Sequence, residues 1–225
     1  MNDLKTYRRR PNHFPLRNQI LIVGCGKTET IYFESFNIDL GDITIETLLD
    51  VHPPKMIVEH ALRLREDNDY RQVWCVFDKD DFYDFDDALR LARQTGIQVG
   101  WSNQALELWF LLHFRYVAAP MHRRLHKAAL TRCLRMPYRK ADSRIYGLLE
   151  PYMHDAIRRA RSGYFSHVRQ GGLPSQWESS TTVYQLVEEL LRWRRRPLPA
   201  PGLTPQQRRS PNNQPSSYVR HRQSS

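Results

Sequence analysis

Three segments of this sequence combine acidic, basic and small residues directly after an apolar run. One is the cluster Asp78-Lys79-Asp80-Asp81, which follows the run Gln72–Phe77. Carboxylates two residues apart beyond a strand can converge on one hard divalent cation, because Mg²⁺ prefers oxygen ligands. The other interpretation is structural, since acids also favour a helix N-terminus and Asp80 or Asp81 would then cap the next helix.

The second segment, Gly24-Cys25-Gly26-Lys27-Thr28-Glu29, follows the apolar run Gln19–Val23. It resembles the end of a nucleotide-binding P-loop, but Leu21 stands where that motif needs its first glycine. An NTPase is therefore disfavoured, whereas a simpler contact between this turn and an anion is retained. Cys25 is a weaker candidate nucleophile, because no histidine is near it in the sequence.

The third segment runs from Trp101-Ser102-Asn103 into an apolar stretch that contains Glu107. An acid with so many apolar neighbours needs a partner such as a metal, lysine or arginine. His113, in the same stretch, is interpreted as a structural hydrogen-bonding residue. Because ligands gather at the carboxyl ends of parallel strands, all three segments are expected to meet at one edge of a sheet.

Charge is distributed unevenly along the chain. The formal net charge is +10, yet residues 34–87 hold 15 acids and 5 bases, whereas residues 115–169 hold 13 bases and 3 acids. This asymmetry predicts an acidic site beside a basic, nucleic-acid-binding half, although ordinary solvated helix faces give the same pattern. The residues chosen for a phosphate-binding surface, with Trp109 and Tyr138 as stacking aromatics, are Arg123, Arg124, Lys127, Arg139 and Lys140.

The elements that position these residues follow from hydrophobic periodicity. Strands are predicted at 19–23, 38–47, 72–77 and 97–101, with helices at 28–36, 54–66, 84–95 and 105–114 between and after them. Such alternation indicates an α/β domain with a small parallel sheet flanked by helices. Beyond residue 115 only helices are predicted, at 122–134, 144–152, 153–162 and 181–193.

Four regions result from these patterns. They are a basic N-terminal arm (1–17), an α/β core (18–114), a basic helical half (115–196) and a Pro/Arg-rich tail (197–225) whose composition predicts disorder. Three unpaired cysteines and the lack of an apolar leader or membrane span predict a reduced, cytoplasmic protein with neither a disulfide framework nor a zinc site.

The strand-end segments, in this order, resemble the RloB-like proteins. The resemblance extends from about Ile20 to Leu190 through ILIVGCGKTETIYFESF, VWCVFDKDDF, GIQVGWSNQALELWFLLHF and STTVYQLVEEL. RloB-like proteins are similar to Toprim-type domains and are associated with abortive-infection phage defence in prokaryotes, often beside an AAA- or ABC-type ATPase. The resemblance therefore implies a Toprim-like core, nucleic acid as substrate and an ATPase as a partner.

The Toprim pattern assigns roles to particular residues. Its Asp-x-Asp corresponds to Asp78 and Asp80, with Asp81 as an extra acid, and these would hold Mg²⁺ or Mn²⁺. Lys27, Glu29 and Glu107 would act beside the metal, with Lys27 holding the phosphate. Where the pattern has Glu-Gly this chain has Cys25-Gly26, and a thiol replaces neither the charge nor the oxygen ligand of a glutamate.

Three functional hypotheses remain at this point. The first is a metal-dependent nuclease of phage defence. The second is a catalytically impaired, non-enzymatic defence component that binds nucleic acid or an ATPase. The third is a nucleotide-handling enzyme built on Gly26-Lys27-Thr28 and the Asp78–Asp81 cluster.

Overall fold

The computed structural model describes residues 18–24 and 26–195 of the 225-residue chain. The predicted arm (1–17), the predicted tail (197–225) and Cys25 lie outside the described residues. A four-stranded, all-parallel sheet forms the centre, with the strand order β2-β1-β3-β4. Its strands are β1 (Gln19–Val23), β2 (Thr44–Leu48), β3 (Gln72–Asp78) and β4 (Gln98–Ser102). The predicted α/β class with a parallel sheet is confirmed.

Eight α-helices accompany the sheet within the described ranges. They are α1 (Lys27–Glu34), α2 (Pro54–Asp67), α3 (Phe85–Thr95), α4 (Glu107–Leu112), α5 (His126–Leu134), α6 (Ile145–Leu149), α7 (Met153–Gln170) and α8 (Val183–Arg192). The predicted helical region after residue 115 is thus confirmed. No helix in the described part of the chain is both long and apolar enough to cross a membrane.

The two faces of the sheet pack against different helices, because successive side chains of a strand point to opposite faces. Leu21 and Val23 belong to one buried cluster with α2 and α3. Ile20 and Ile22 belong to the other, which also contains the buried residues of α1 and of α4 to α8. The basic helical half therefore shares a continuous core with the sheet, and this places its loops beside the ends of the strands.

The predicted strand at 38–47 is wrong in its first half. A 3₁₀ turn occupies Ser35–Ile38, the Ile38 side chain is 83% exposed, and β2 begins only at Thr44. The Asn37 side chain accepts a hydrogen bond from the Ile45 N–H and donates one to the Ile45 carbonyl. This side chain occupies backbone groups on the open side of β2, where a further strand would otherwise pair.

Helix α7 is longer than predicted. The sequence analysis ended this helix at residue 162, before Gly163, but the structure continues it to Gln170. Gly163 lies in the helix interior beside Tyr116, and Gly171, with φ of 83°, follows the last turn. The glycine that ends the helix is therefore the one whose backbone adopts a positive φ.

Arg194 joins the end of the described chain to the core. Its guanidinium, whose side chain is only 6% exposed, pairs with Asp39 at 2.7 Å and also with Glu150. The Tyr146 hydroxyl donates a further hydrogen bond to Asp39. One buried cation thus connects the segment before β2, the end of α6 and the residue after α8.

Replacing Arg194 with methionine leaves Asp39 and Glu150 without their shared cation. We expect the free energy of unfolding to fall by about 3 kcal/mol, as for other buried pairs that lose one partner. Arg195→Met is the matched control, because Arg195 pairs with Asp42 at 3.2 Å where both side chains are largely exposed. Urea unfolding measures both variants, and an equal effect of the two substitutions would contradict this account.

Candidate functional site: a carboxylate cluster at the sheet edge

The carboxyl ends of β1 and β3 lie side by side at one edge of the sheet. At the end of β1, Gly24 has φ of +95°. A Cβ at this position would lie 2.7 Å from the Val76 carbonyl oxygen and 2.8 Å from Ile57. Glycine is therefore required here, because the chain turns from β1 towards α1 in close contact with β3.

Asp78 is the last residue of β3 and lies at the centre of an acidic cluster. Burial raises the pKa of its carboxyl well above the usual range, and the charges of Glu29, Asp80 and Glu107 raise it further. A backbone hydrogen bond from Leu106 opposes these effects only in part. Four carboxylates from separate parts of the sequence are thus close enough to repel one another, which is an arrangement that a cation would relieve.

Glu29 lies in the first turn of α1. Burial raises its pKa, and the nearby charges of Glu107 and Asp80 act in the same direction. A Cβ on Gly26 would lie 2.7 Å from the Glu29 carboxylate, so the side chain folds back over this glycine. The structure therefore brings Glu29 to the cluster, as the sequence analysis predicted for the residues of this turn.

Glu107 is the first residue of α4, and it is only 7% exposed. The Tyr138 hydroxyl donates a hydrogen bond of 3.1 Å to its Oε1 atom, and the Lys140 ammonium lies 3.5 Å from the same oxygen. The expectation that this buried acid needs a partner is confirmed. Burial and the nearby Glu107 charge also raise the pKa of the Tyr138 hydroxyl.

Asp80 and Asp81 lie on the turn after β3, where Asp80 has φ of 41°. The Arg123 guanidinium pairs with Asp80 and lies 3.2 Å from Asp81. Neither acid caps α3, because Asp84 precedes that helix. The alternative of a simple helix cap is therefore wrong, and both acids face a cation from the helical half.

The oxygen ligands of these acids suit a hard cation such as Mg²⁺ in chemical type. Their mutual repulsion, visible in the raised pKa values of Glu29 and Asp78, also favours positive charge at this place. Within residues 18–24 and 26–195, however, no three His, Cys, Asp or Glu side chains are already arranged to hold a metal ion. Asp80 is turned towards Arg123, and Glu107 towards Tyr138 and Lys140.

The predicted phosphate-binding residues divide into two groups. Arg123 and Lys140 contact the acidic cluster directly, whereas Arg124, Lys127 and Arg139 are exposed near them in the sequence. Lys27 is exposed at the first position of α1. The prediction of stacking aromatics is wrong, because Trp109 and Tyr138 are 0% and 3% exposed and donate hydrogen bonds to Tyr32 and Glu107.

Ser102 and Asn103 are connected mainly to the segment before α8. The Ser102 hydroxyl lies 3.0 Å from the Thr181 hydroxyl, and the Asn103 amide donates to the Ser175 carbonyl. These contacts fasten the helical half to the end of β4. His113 is fully buried and its Nδ1 atom lies 2.9 Å from the Trp109 carbonyl oxygen, so its predicted structural role is confirmed.

The sequence analysis missed the contribution of the loop between α5 and α6. Ala141 in this loop donates a backbone hydrogen bond to the Thr28 hydroxyl, which holds the loop against the start of α1. Tyr138 and Lys140 are thereby placed beside Glu107. The alternation Tyr138-x-Lys140 was visible in the sequence, but nothing in it identified Glu107 as the partner.

The raised pKa of Asp78 leads to a prediction about stability. A carboxyl with a raised pKa in the folded protein favours folding below its unfolded pKa, and this contribution is lost as the pH rises through the folded pKa. At pH 7 we therefore expect Asp78→Asn to stabilise the protein by about 1 kcal/mol, because it removes a poorly compensated charge.

Thermal unfolding between pH 4 and pH 8 measures this effect. The advantage of Asp78→Asn over the wild type should grow with pH and reach about 2–4 °C in Tm. Asp87→Asn is the control, because its side chain on α3 is 54% exposed and pairs with Arg90. A variant that is equally or less stable at every pH would contradict the claim that the cluster is repulsive.

Comparisons with known proteins agree with this architecture. The family model described as RloB-like protein matches residues 20–190, a span that contains all four strands of the sheet and every residue of the acidic cluster. No curated protein and no solved structure matches the chain. Since the family model covers well over half of the sequence, the chain belongs to the RloB-like family.

Proposed function

We propose that this protein is a Mg²⁺- or Mn²⁺-dependent nuclease of the Toprim type that acts in antiphage defence by abortive infection. The observation that supports this proposal best is the convergence of Glu29, Asp78, Asp80 and Glu107 on one edge of the sheet. Buried acids that raise one another's pKa are rarely retained for stability alone and are typical of functional sites.

Asp78 and Asp80, with Asp81 beside them, would hold the cation. When bound, a divalent ion polarises a scissile phosphate and lowers the pKa of a water molecule. Asp80 and Asp81 are occupied by Arg123 in the structure, and their side chains are 36% and 93% exposed. Exposed pairs of this kind contribute little to stability, so Asp80 can exchange Arg123 for another cation at small cost.

The chain's own residues supply the remaining chemistry. The raised pKa of Glu29 brings its carboxyl nearer to neutrality, where it can accept or donate a proton in acid–base catalysis. Lys140, at 3.5 Å from Glu107, and the exposed Lys27 at the start of α1 would bind phosphate oxygens and stabilise developing negative charge. Arg123, once released from Asp80, would contact the same phosphate backbone.

A nucleic acid would lie across the loops of the helical half. The exposed side chains of Arg124, Lys127 and Arg139 belong to the same segments as Arg123 and Lys140, so they extend the positive surface away from the acids. Positive charge outside an acidic centre attracts the polyanion while it leaves the carboxylates for the metal. This division of roles agrees with the charge asymmetry of the sequence.

A cleavage assay with Mg²⁺ or Mn²⁺ on plasmid, single-stranded DNA and total RNA tests the proposal. We expect metal-dependent cleavage by the wild type and a loss of at least about 100-fold in Asp80→Asn, the scale on which removal of one electrostatic catalytic group acts. Asp87→Asn serves as the exposed control on α3. Equal activity of wild type and Asp80→Asn, or inactivity of both, would contradict the nuclease proposal.

The reversion Cys25→Glu extends this assay. A thiol supplies no hard oxygen ligand, so the wild-type cycle would depend on Glu29 where the Toprim pattern has its first glutamate. Activity that appears only in Cys25→Glu identifies a nuclease site that the substitution has inactivated. Activity in the wild type that is lost in Glu29→Gln assigns the acid–base role to Glu29.

A second candidate function is a non-enzymatic defence component that binds nucleic acid or an ATPase. The observation that favours it is the neutralisation of the acids by Arg123 and Lys140, together with the lack of a ready three-ligand metal group among the described residues. A phage-protection assay separates the candidates, because this function requires Arg124, Lys127 and Arg139 but tolerates Asp78→Asn and Asp80→Asn.

Arg123 gives a further prediction about metal binding. Because its guanidinium occupies Asp80 and Asp81, we expect Arg123→Ala to bind Mg²⁺ more tightly than the wild type in the absence of nucleic acid. Isothermal titration calorimetry measures the affinity, with Arg124→Ala as the neighbouring control. Weaker binding in Arg123→Ala than in the wild type would show that Arg123 does not compete with the ion.

A further inference from the structure

A second group of ionisable side chains lies on the loop between β2 and α2, apart from the acidic cluster. Asp50, in this loop, has a carboxylate whose side chain is only 3% exposed. Its Oδ1 atom lies 2.6 Å from Nδ1 of His52, and its Oδ2 atom lies 2.7 Å from Nδ1 of His60. The His52 backbone N–H also donates to Oδ1 at 3.0 Å. One buried carboxylate thus holds two imidazole rings.

The carboxylate determines which ring nitrogens carry protons. Burial alone would raise the pKa of Asp50, but the hydrogen bonds from His60 and His52 outweigh burial and lower it, so this carboxylate is ionised and accepts only. Each neutral ring must then carry its proton on Nδ1, and the lone pair lies on Nε2. Within the described residues, neither Nε2 atom has a hydrogen-bond partner.

Both rings remain accessible from solvent. The His52 side chain is 56% exposed and the His60 side chain is 36% exposed, whereas Asp50 beneath them is buried. His60 is fixed by helix α2, and His52 is fixed by its own backbone bond to Asp50. The two rings are therefore oriented in advance, with their electron-donating nitrogens directed away from the carboxylate.

We propose that His52 and His60 form a binding site for a borderline first-row cation of the Zn²⁺ type, with Asp50 as the buried carboxylate that orients both ligands. In metal sites, a ligating histidine almost always donates its other ring N–H to a carboxylate or carbonyl, which fixes the tautomer and makes the ligating nitrogen more basic. Here one aspartate does this for two histidines. Two nitrogens leave further coordination positions open to water or to another donor.

This site is independent of the nuclease proposal, because the two sites differ in ligand chemistry. Imidazole nitrogen suits Zn²⁺, Ni²⁺ and Cu²⁺, whereas the carboxylate cluster suits Mg²⁺ or Mn²⁺. A two-histidine site is also compatible with the lack of any described group of three His, Cys, Asp or Glu ligands, since Asp50 orients the histidines and does not contact the ion.

Zn²⁺ binding by the full-length chain tests the proposal, measured by competition with a chromophoric chelator in excess Mg²⁺ so that the carboxylate cluster is occupied. We expect one Zn²⁺ per chain that is lost in both His52→Ala and His60→Ala. Asp50→Asn should weaken binding by about 10- to 100-fold, as second-shell substitutions do. Thermal unfolding of each variant in EDTA shows whether it is folded.

Two controls separate this site from other ligands of the chain. His154→Ala removes an exposed histidine on α7, and the double variant Asp78→Asn/Asp80→Asn removes the acids of the other site. Both should bind Zn²⁺ like the wild type. The proposal is overturned if the wild type binds no Zn²⁺, if both histidine variants still bind it, or if only the double variant loses it.

Discussion

Electrostatic repulsion among carboxylates at one edge of a parallel sheet is the constraint on which the site depends. Parallel pairing places the ends of β1 and β3 side by side, and this brings Glu29, Asp78 and Asp80 within range of one another and of Glu107 on α4. The surrounding protein compensates this repulsion only in part. The helical half supplies the compensation, since Arg123, Tyr138 and Lys140 all reach the acids from loops beyond residue 115.

The fold keeps these loops in place through a shared core. Helices α4 to α8 bury their apolar residues with Ile20 and Ile22 of the sheet, and the Arg159 guanidinium donates hydrogen bonds to the carbonyls of Leu112 and His113 at the end of α4. The hydrogen bond from Ala141 to Thr28 then fastens the loop that carries Lys140 to the first helix. The positive charges near the acids are therefore positioned by packing that lies far from the site.

Several features could be predicted from the sequence because they depend on local pattern. The apolar runs before Gly24 and Asp78 predicted buried parallel strands, and the rule that strand ends share an edge predicted that their acids meet. The pairing of Arg123 with Asp80 joins residues 43 positions apart, and no local pattern encodes such a contact. Tyr138 was misjudged for a related reason: a tyrosine among basic residues resembles an exposed stacking residue, whereas its partner Glu107 is buried. The start of β2 was misjudged because Leu40 and Ile43 are buried in a loop with the same alternation as a strand.

The central claim is that the carboxylate cluster holds a divalent cation. Electron paramagnetic resonance of free Mn²⁺, titrated into the full-length protein, counts the ions that the protein binds without requiring a substrate. This account predicts Mn²⁺ binding that excess Mg²⁺ displaces and that Asp78→Asn/Asp80→Asn abolishes. Undiminished free Mn²⁺ signal in the presence of wild-type protein, or equal binding by the double variant, would contradict it.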